Sequence, residues 1–285
     1  MELASTRMED IFSDADLVTL PAVYTQLKAV LDDPDFSMQD VVDVVSNDPA
    51  ITTKLLRLAN SAYFGLATRI DTVARAVSML GTQEVHDLVL ATSVVQSFSG
   101  MENEVMDMQR FWRKSVLCAI AAKSLALRCN VLDSDSAFVA GLLRDLGHLF
   151  LYQKLPQQSL QAHQMHVQRG IPLYQAENSL MGTDYAKVGA EAMRRWKLPE
   201  NLWEPTELHV DPVLADESGL ITSLVHIAGV VAEAFDQEEE MCEAIRRVDP
   251  YAWQETGLDA EDVLTLPEEL VDELNSVLLL LLEDL

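Results

Sequence analysis

The chain has 285 residues, of which 20 are basic and 46 acidic, and its formal net charge is −26. With 49% hydrophobic residues it can bury a core of one large or two ordinary domains, which excludes extensive disorder. The negative charge would repel phosphates and anionic lipids, so we expect neither nucleic acid nor a membrane surface as a partner.

The first third of the chain predicts a series of short helices. Ser37–Asp40 has the pattern of a capping box ahead of an apolar stripe. Asp48 is a predicted N-cap, and the proline after it suits the first helical position. Gly81 lies where a helix is expected to end. We therefore predict a helical bundle over residues 17–104, after an N-terminal extension over 1–16.

Helical periodicity continues to the C terminus, and strand-like alternation is almost absent. We predict a second helical bundle over residues 105–265 and a C-terminal helix within 266–285. The run Val277–Leu282 is entirely apolar, so we expect this helix to close the C-terminal core or to form an interface with a partner or a second copy. No signal peptide or long apolar segment is visible, and we expect a cytoplasmic, all-α protein.

Two stretches of sequence carry a family resemblance. The first is DPAITTKLLRLANSAYFG over residues 48–65; the second is AFVAGLLRDLGH over 137–148, followed by GTDYAKVGA over 182–190. Together they resemble the HDOD domain, a bacterial signalling module distantly similar to the HD superfamily of metal-dependent phosphohydrolases. The resemblance covers about residues 17–265. It implies an N-terminal helical bundle packed against a degenerate HD-like helical bundle.

The same resemblance implies where an HD-type metal pocket would lie. The corresponding positions are Ser115, Arg144, Asp145, Tyr185, His209 and Gly229. An active site of this class needs His and Asp side chains that bind one or two metal ions. Only Asp145 and His209 retain such a side chain, and Arg144 places a cation where the family pattern has a histidine. We therefore expect no bound metal, no cofactor and no hydrolysis.

The leading functional hypothesis is a non-catalytic regulatory module that binds a protein of a signalling pathway. One alternative is a divergent metal-dependent phosphohydrolase or phosphodiesterase that acts on a nucleotide or cyclic dinucleotide through a rearranged metal shell. Another is a sensor in which Arg144 contacts the phosphate of a small nucleotide, because a guanidinium matches phosphate oxygens. The residues before position 17 do not show the alternating strand and helix pattern of a receiver domain, which often accompanies this module. We therefore expect either a stand-alone protein or one domain of a longer chain.

Several histidines and one carboxylate near these positions are expected to have structural roles rather than to bind a metal ion. Asp145 is expected to cap a helix that begins near Gly147, although it could remain a metal ligand. His148 is expected to be partly buried and hydrogen-bonded. His163 and His166 are spaced three apart, and we expect a solvated surface pair.

A basic patch runs against the overall charge. Lys54, Arg57, Arg69 and Arg75 lie within a segment that has few acidic residues. The patch could bind an acidic partner or a phosphate. It could equally pair with acidic helices in the other half of the chain.

Overall fold

The computed structural model describes residues 8–12, 18–61, 68–101, 105–131 and 134–282. All regular secondary structure in these residues is helical, as the sequence predicts. The end of the first motif, Ala62–Gly65, and most of the predicted extension over 1–16 lie outside the described residues.

Helices α1 to α10 span Met8–Ile11, Ala22–Leu31, Met38–Ser46, Pro49–Ala59, Val73–Leu80, Thr82–Ser97, Met108–Arg128, Ser134–Leu143, Leu146–Lys154 and Pro156–Arg169. Helices α11 to α19 span Leu173–Met181, Tyr185–Arg195, Glu200–Leu208, Gly219–Asp236, Met241–Ala244, Pro250–Thr256, Glu261–Leu264, Leu266–Glu269 and Val271–Leu281. Short 3-10 turns form at Pro212–Leu214 and Ile245–Arg247.

The chain divides into two compact units. The smaller unit comprises residues 18–101 and 271–285, and the larger unit comprises 1–17 and 102–270. Both units are therefore built from segments that are distant in sequence.

The smaller unit confirms the predicted helix signals. The Ser37 amide donates to the Asp40 carboxylate at 2.8 Å, and the Asp40 amide donates back to the Ser37 hydroxyl at 3.3 Å. Asp48 accepts hydrogen bonds from two amides in the first turn of α4. Gly81 has a φ of 91° and ends α5, a conformation that suits glycine.

The C-terminal helix does not lie where the first of its two predictions placed it, in the C-terminal core. Helix α19 begins at Val271 and packs against α4 within the smaller unit, so it does not close the C-terminal core. Leu274, Val277 and Leu281 are buried, whereas Leu279 is 73% exposed. The buried residues follow the i, i+3, i+7 spacing of one helix face, and the apolar run is therefore not buried on all sides.

The core of the larger unit is formed by α7 together with α8 and α14. Among the described residues, α14 is the one helix long and apolar enough to cross a membrane by length and composition. Of its apolar window, 67% is buried inside the unit, as is usual for a core helix of a globular domain. Its apolar character is thus explained by packing against α7.

Candidate functional site

Helices α7, α9, α12 and α14 of the larger unit bring a set of polar side chains together. Arg144 and Asp145 lie in the turn between α8 and α9, and Tyr185 begins α12. A Cβ at Gly147 would overlap the Tyr185 carbonyl and lie 2.6 Å from the Gly189 nitrogen. The absence of a side chain at position 147 therefore lets α9 approach α12 closely and places Tyr185 beside the Arg144–Asp145 turn.

A buried ionic network forms around Arg144, which is 3% exposed. Its Nε donates to Asp145 Oδ1 at 3.0 Å, and its Nη2 donates to Glu233 Oε1 at 2.7 Å. The ammonium of Lys114 lies 2.8 Å from Asp145 Oδ2. Two cations and two carboxylates thus satisfy one another, as buried charges require.

The electrostatics of this network keep its groups charged. Burial disfavours the ionised form of Asp145, but Arg144 and Lys114 outweigh that effect and hold the pKa of this carboxyl well below its usual range. Burial likewise disfavours the charge on Lys114, yet the attraction of Asp145 and Glu233 together outweighs it and raises the pKa of the ammonium. We conclude that Arg144, Asp145 and Lys114 are charged at neutral pH.

Gly229 provides the space for the Arg144 side chain. A Cβ built at position 229 would overlap Nη1 of Arg144 and lie 2.7 Å from its Cζ. Real Cβ atoms do not approach other heavy atoms this closely, so any other residue at position 229 would have to displace the guanidinium. Arg144 and Gly229 are thus complementary in shape.

His209 is held by protein groups at both ring nitrogens. Its Nδ1 lies 2.8 Å from the Thr206 carbonyl, which can only accept. Nδ1 therefore carries the hydrogen, and Nε2 accepts from the Tyr185 hydroxyl at 3.0 Å. Burial lowers the pKa of His209 to about 3, so the ring is neutral.

His226 continues this chain of hydrogen bonds. Its Nδ1 donates to the His209 carbonyl at 2.6 Å, and its Nε2 accepts from the Asp249 amide at 3.0 Å. Burial lowers the pKa of His226 as well. Both histidines are satisfied without a metal ion.

A second buried pair lies beside the network. His148 stacks on Tyr185, with ring centroids 4.0 Å apart, and on Tyr152 at 5.0 Å. Its Nδ1 lies 3.6 Å from Oε1 of Glu177, and within the described chain neither atom has a hydrogen-bond partner. Burial raises the pKa of Glu177 to about 8 and lowers that of His148 well below its usual range. Both groups are therefore neutral at pH 7.

Comparison with known proteins identifies the family. The model of the HDOD domain matches residues 17–212. The chain belongs to the HDOD domain family. An uncharacterized protein from Treponema pallidum (strain Nichols) is 25% identical over 226 residues, which are 78% of this chain and 43% of that protein. The chain thus spans less than half the length of this curated relative.

Solved structures show the same HDOD fold. A candidate phosphohydrolase from Shewanella amazonensis SB2B has a TM-score of 0.75 at 24% identity, over 96% of this chain and 100% of that one. An HDOD domain protein of unknown function from Geobacter sulfurreducens has a TM-score of 0.73 at 22% identity, over 95% of this chain and 94% of that one. At these identities the likeness concerns the fold alone.

The pocket of this HDOD chain does not fit the metal ions of the HD superfamily. Asp145 is already bound by two cations, and His209 has no free ring nitrogen. Over the described part of the chain, no group of three or more His, Cys, Asp or Glu side chains could hold a metal ion.

The HDOD structure brings together most of the residues that the sequence singled out. Arg144 contacts both Asp145 and Gly229, and Tyr185 contacts His209. The remaining candidate, Ser115, is buried, and its hydroxyl donates to a carbonyl of its own helix at 3.0 Å. Sequence reasoning missed Lys114, Glu233 and Glu177. The four-residue spacing of Gly229 and Glu233 on α14 could have indicated Glu233.

Three expectations about single residues were wrong. Asp145 precedes α9, but its side chain caps no amide, because two cations engage it instead. His148 is fully buried rather than partly buried, and its Nδ1 has no hydrogen-bond partner in the described chain. His163 and His166 are half-buried rather than a solvated pair. They bond separately, to the Tyr152 hydroxyl at 2.7 Å and the Ile171 carbonyl at 2.6 Å.

The basic patch belongs to the smaller unit. Arg57 and Arg69 are exposed, whereas Lys54 and Arg75 are half-buried. Arg75 lies 3.9 Å from Asp71 in its own unit. A partner or an anion for this patch stays a prediction.

Proposed function

We propose that this HDOD chain is a non-catalytic regulatory module of signal transduction that binds a protein partner. One observation carries the proposal. A buried guanidinium, from Arg144, lies in the pocket where a catalytic relative would enclose metal ions, and the space for it exists because position 229 is glycine.

The energetics of the ionic network support this reading. A metal ion at Asp145 would have to displace both Arg144 and Lys114 from the carboxylate. Removing one partner of a buried ion pair costs about 3–5 kcal/mol. The displaced guanidinium would also remain close to the ion and repel it. Without a metal, the pocket lacks a means to generate hydroxide from water at neutral pH.

The geometry does not favour the nucleotide-sensor hypothesis. Arg144 is almost fully buried, and the carboxylates of Asp145 and Glu233 accept its hydrogen bonds. A phosphate would have to replace these carboxylates and would be repelled by them. This hypothesis needs a guanidinium that is free to bind a phosphate, but the guanidinium of Arg144 is already bound by two carboxylates.

A hydrolysis assay separates the proposal from its enzymatic rival. The purified full chain would be incubated with Mn²⁺, Fe²⁺ or Ni²⁺ and with bis(p-nitrophenyl) phosphate, p-nitrophenyl phosphate or a cyclic dinucleotide. We expect no turnover above that of the metal salt alone. Metal-dependent turnover that disappears in Asp145→Asn and in His209→Gln, with both variants folded, would favour the divergent phosphohydrolase.

A further inference from the structure

An open groove of about 520 Å³ crosses the larger unit beside the ionic network. It lies between the first half of α7, the C-terminal end of α14 with the residues that follow it, and helices α17 and α18. Its apolar lining includes Leu117, Phe235, Met241, Leu264 and Pro267. Leu264 is 40% exposed. The groove thus offers apolar contact surface of the size that holds a few side chains.

The rim of this groove is acidic. Glu238, Glu240 and Glu268 line it, and all three are exposed. The two basic residues of the lining are engaged by their own unit. The ammonium of Lys114 lies 2.8 Å from Asp145, and the guanidinium of Arg113 lies over the Phe235 ring, 5.4 Å from its centroid. The groove therefore presents a small apolar surface, formed chiefly by the exposed Leu264 and the half-buried Met241, next to three exposed carboxylates.

Charge complementarity selects the occupant. A second copy of this chain, with a net charge of −26, would be repelled, and so would a phosphate ligand. Lysine or arginine side chains would be attracted to the rim, and the apolar side chains at Leu264 and Met241 favour apolar contacts between them. Amphipathic helices bind apolar grooves with anchors on one face, and basic residues on the other face would meet this rim.

We infer that the groove is the docking site for a basic amphipathic helix of a partner protein. The inference rests on the proposed function, since it names the chemistry of the partner that the module binds. Lys114 joins the two sites, because it lines the groove and also binds Asp145 of the buried network.

The test uses a synthetic peptide as the probe. The peptide is a fluorescently labelled helix of about four turns, with leucines on one face and lysines on the other. Its binding to the full chain is followed by anisotropy at about 0.15 M salt, where charges beyond roughly 8 Å are screened. A peptide of the same composition in scrambled order controls for charge alone.

Two double variants with the same change of charge locate the binding. Glu238→Lys with Glu240→Lys reverses the rim. Asp216→Lys with Glu217→Lys makes the same change at exposed residues just before α14. These residues lie roughly 27 Å away, at the other end of that 18-residue helix. Leu264→Asp places a charge in the apolar part of the groove.

We expect the rim variant and Leu264→Asp to weaken peptide binding at least about tenfold, and the distal variant to change it less than about twofold. Equal losses in the rim and distal variants would show attraction to bulk charge and overturn the inference. Unchanged binding in the rim variant would overturn it as well. Metal content and hydrolysis, measured on the same preparation, decide the proposed function separately, so the two can fail independently.

Discussion

The guanidinium of Arg144 fills the space that a side chain on residue 229 would need, and residue 229 is glycine. Arg144 and Gly229 lie 85 positions apart in the chain. Both depart from the side chains that the HD-type pattern has at these positions. Together they leave a pocket that is filled by the protein's own guanidinium. Arg144 in this conformation requires glycine at residue 229, which a substitution at that position can test.

Gly229→Ala should destabilise the larger unit by about 1–3 kcal/mol, the usual cost of overpacking a core. The reason is that the new methyl group would overlap the Arg144 guanidinium. Urea unfolding monitored by circular dichroism measures the change. Gly219→Ala, in the same helix, is the control, since a Cβ there lies 3.4 Å from the nearest atom, the Tyr251 hydroxyl. The control should match the wild type or be more stable by up to about 1 kcal/mol, since alanine favours a helix over glycine. If Gly229→Ala is as stable as this control, the overlap is contradicted.

Arg144→Met should lower the free energy of unfolding by about 1.5–3 kcal/mol, because the buried Asp145 loses the hydrogen bonds of the guanidinium and keeps Lys114 alone, and the partly exposed Glu233 loses its partner. The comparison variant is Arg246→Met, which removes an exposed ion pair with Glu243. Such surface pairs contribute about 0–1 kcal/mol. Denaturant midpoints at pH 7 give both values, and similar losses would mean that the buried network contributes little.

Glu177 predicts an unusual dependence of stability on pH. Its pKa is raised to about 8 in the folded chain from 4.5, so the folded state binds the proton more tightly than the unfolded state. The stabilisation that protonated Glu177 gives the folded state is complete below the pKa of this carboxyl in the unfolded chain. It is lost as the pH rises towards 8. The neutral buried histidines, His148 and His209, have the opposite effect, but only below about pH 6.5.

The window from about pH 6.5 to 8 therefore isolates Glu177. Wild-type stability should fall across this window, and Glu177→Gln should abolish the slope and be more stable at pH 8 by a few kcal/mol, at about 1.4 kcal/mol per pKa unit. The glutamine still offers an oxygen to the Tyr185 amide, which donates to Glu177 at 2.9 Å. Parallel curves for the two proteins would show that Glu177 is ionised in the folded chain.

Tyr185→Phe should cost about 1–3 kcal/mol, because it leaves the buried Nε2 of His209 without a donor. Tyr174→Phe is the matched control, since that hydroxyl only accepts from the adjacent Gln175 at 3.1 Å. Nitrogen chemical shifts of His209 should show the Nδ1–H form in the wild type. A wild-type spectrum with the hydrogen on Nε2 would contradict the assigned hydrogen bonds.

Local sequence signals predict much of this fold. The caps at Ser37 and Asp48 and the glycine at position 81 act over a few residues, so their patterns are visible in sequence and the structure confirms them. The position of α19 could not be predicted this way. An apolar helix face indicates that the helix is buried, but it does not indicate which distant helix covers it, here α4.

The candidate site shows the same division. Alignment with the HD-type pattern identified Arg144, Asp145 and Gly229. It could not show that the Arg144 side chain occupies the space next to Gly229. Lys114 and Glu233 were missed because long charged side chains on helices are usually solvated. Lys114 and Glu233 point inward only because α7 and α14 pack against the loop that contains Arg144. Such contacts depend on tertiary geometry, which no single segment encodes.

The metal content of the purified protein tests the central claim most directly. Cells would be grown with added Mn, Fe and Ni, and elemental mass spectrometry would count metal ions per chain in the wild type and in Asp145→Asn. We predict near-zero occupancy in both proteins, since Arg144 and Lys114 already satisfy Asp145. About one metal per wild-type chain, lost in Asp145→Asn, would contradict the claim and make the phosphohydrolase hypothesis the leading one.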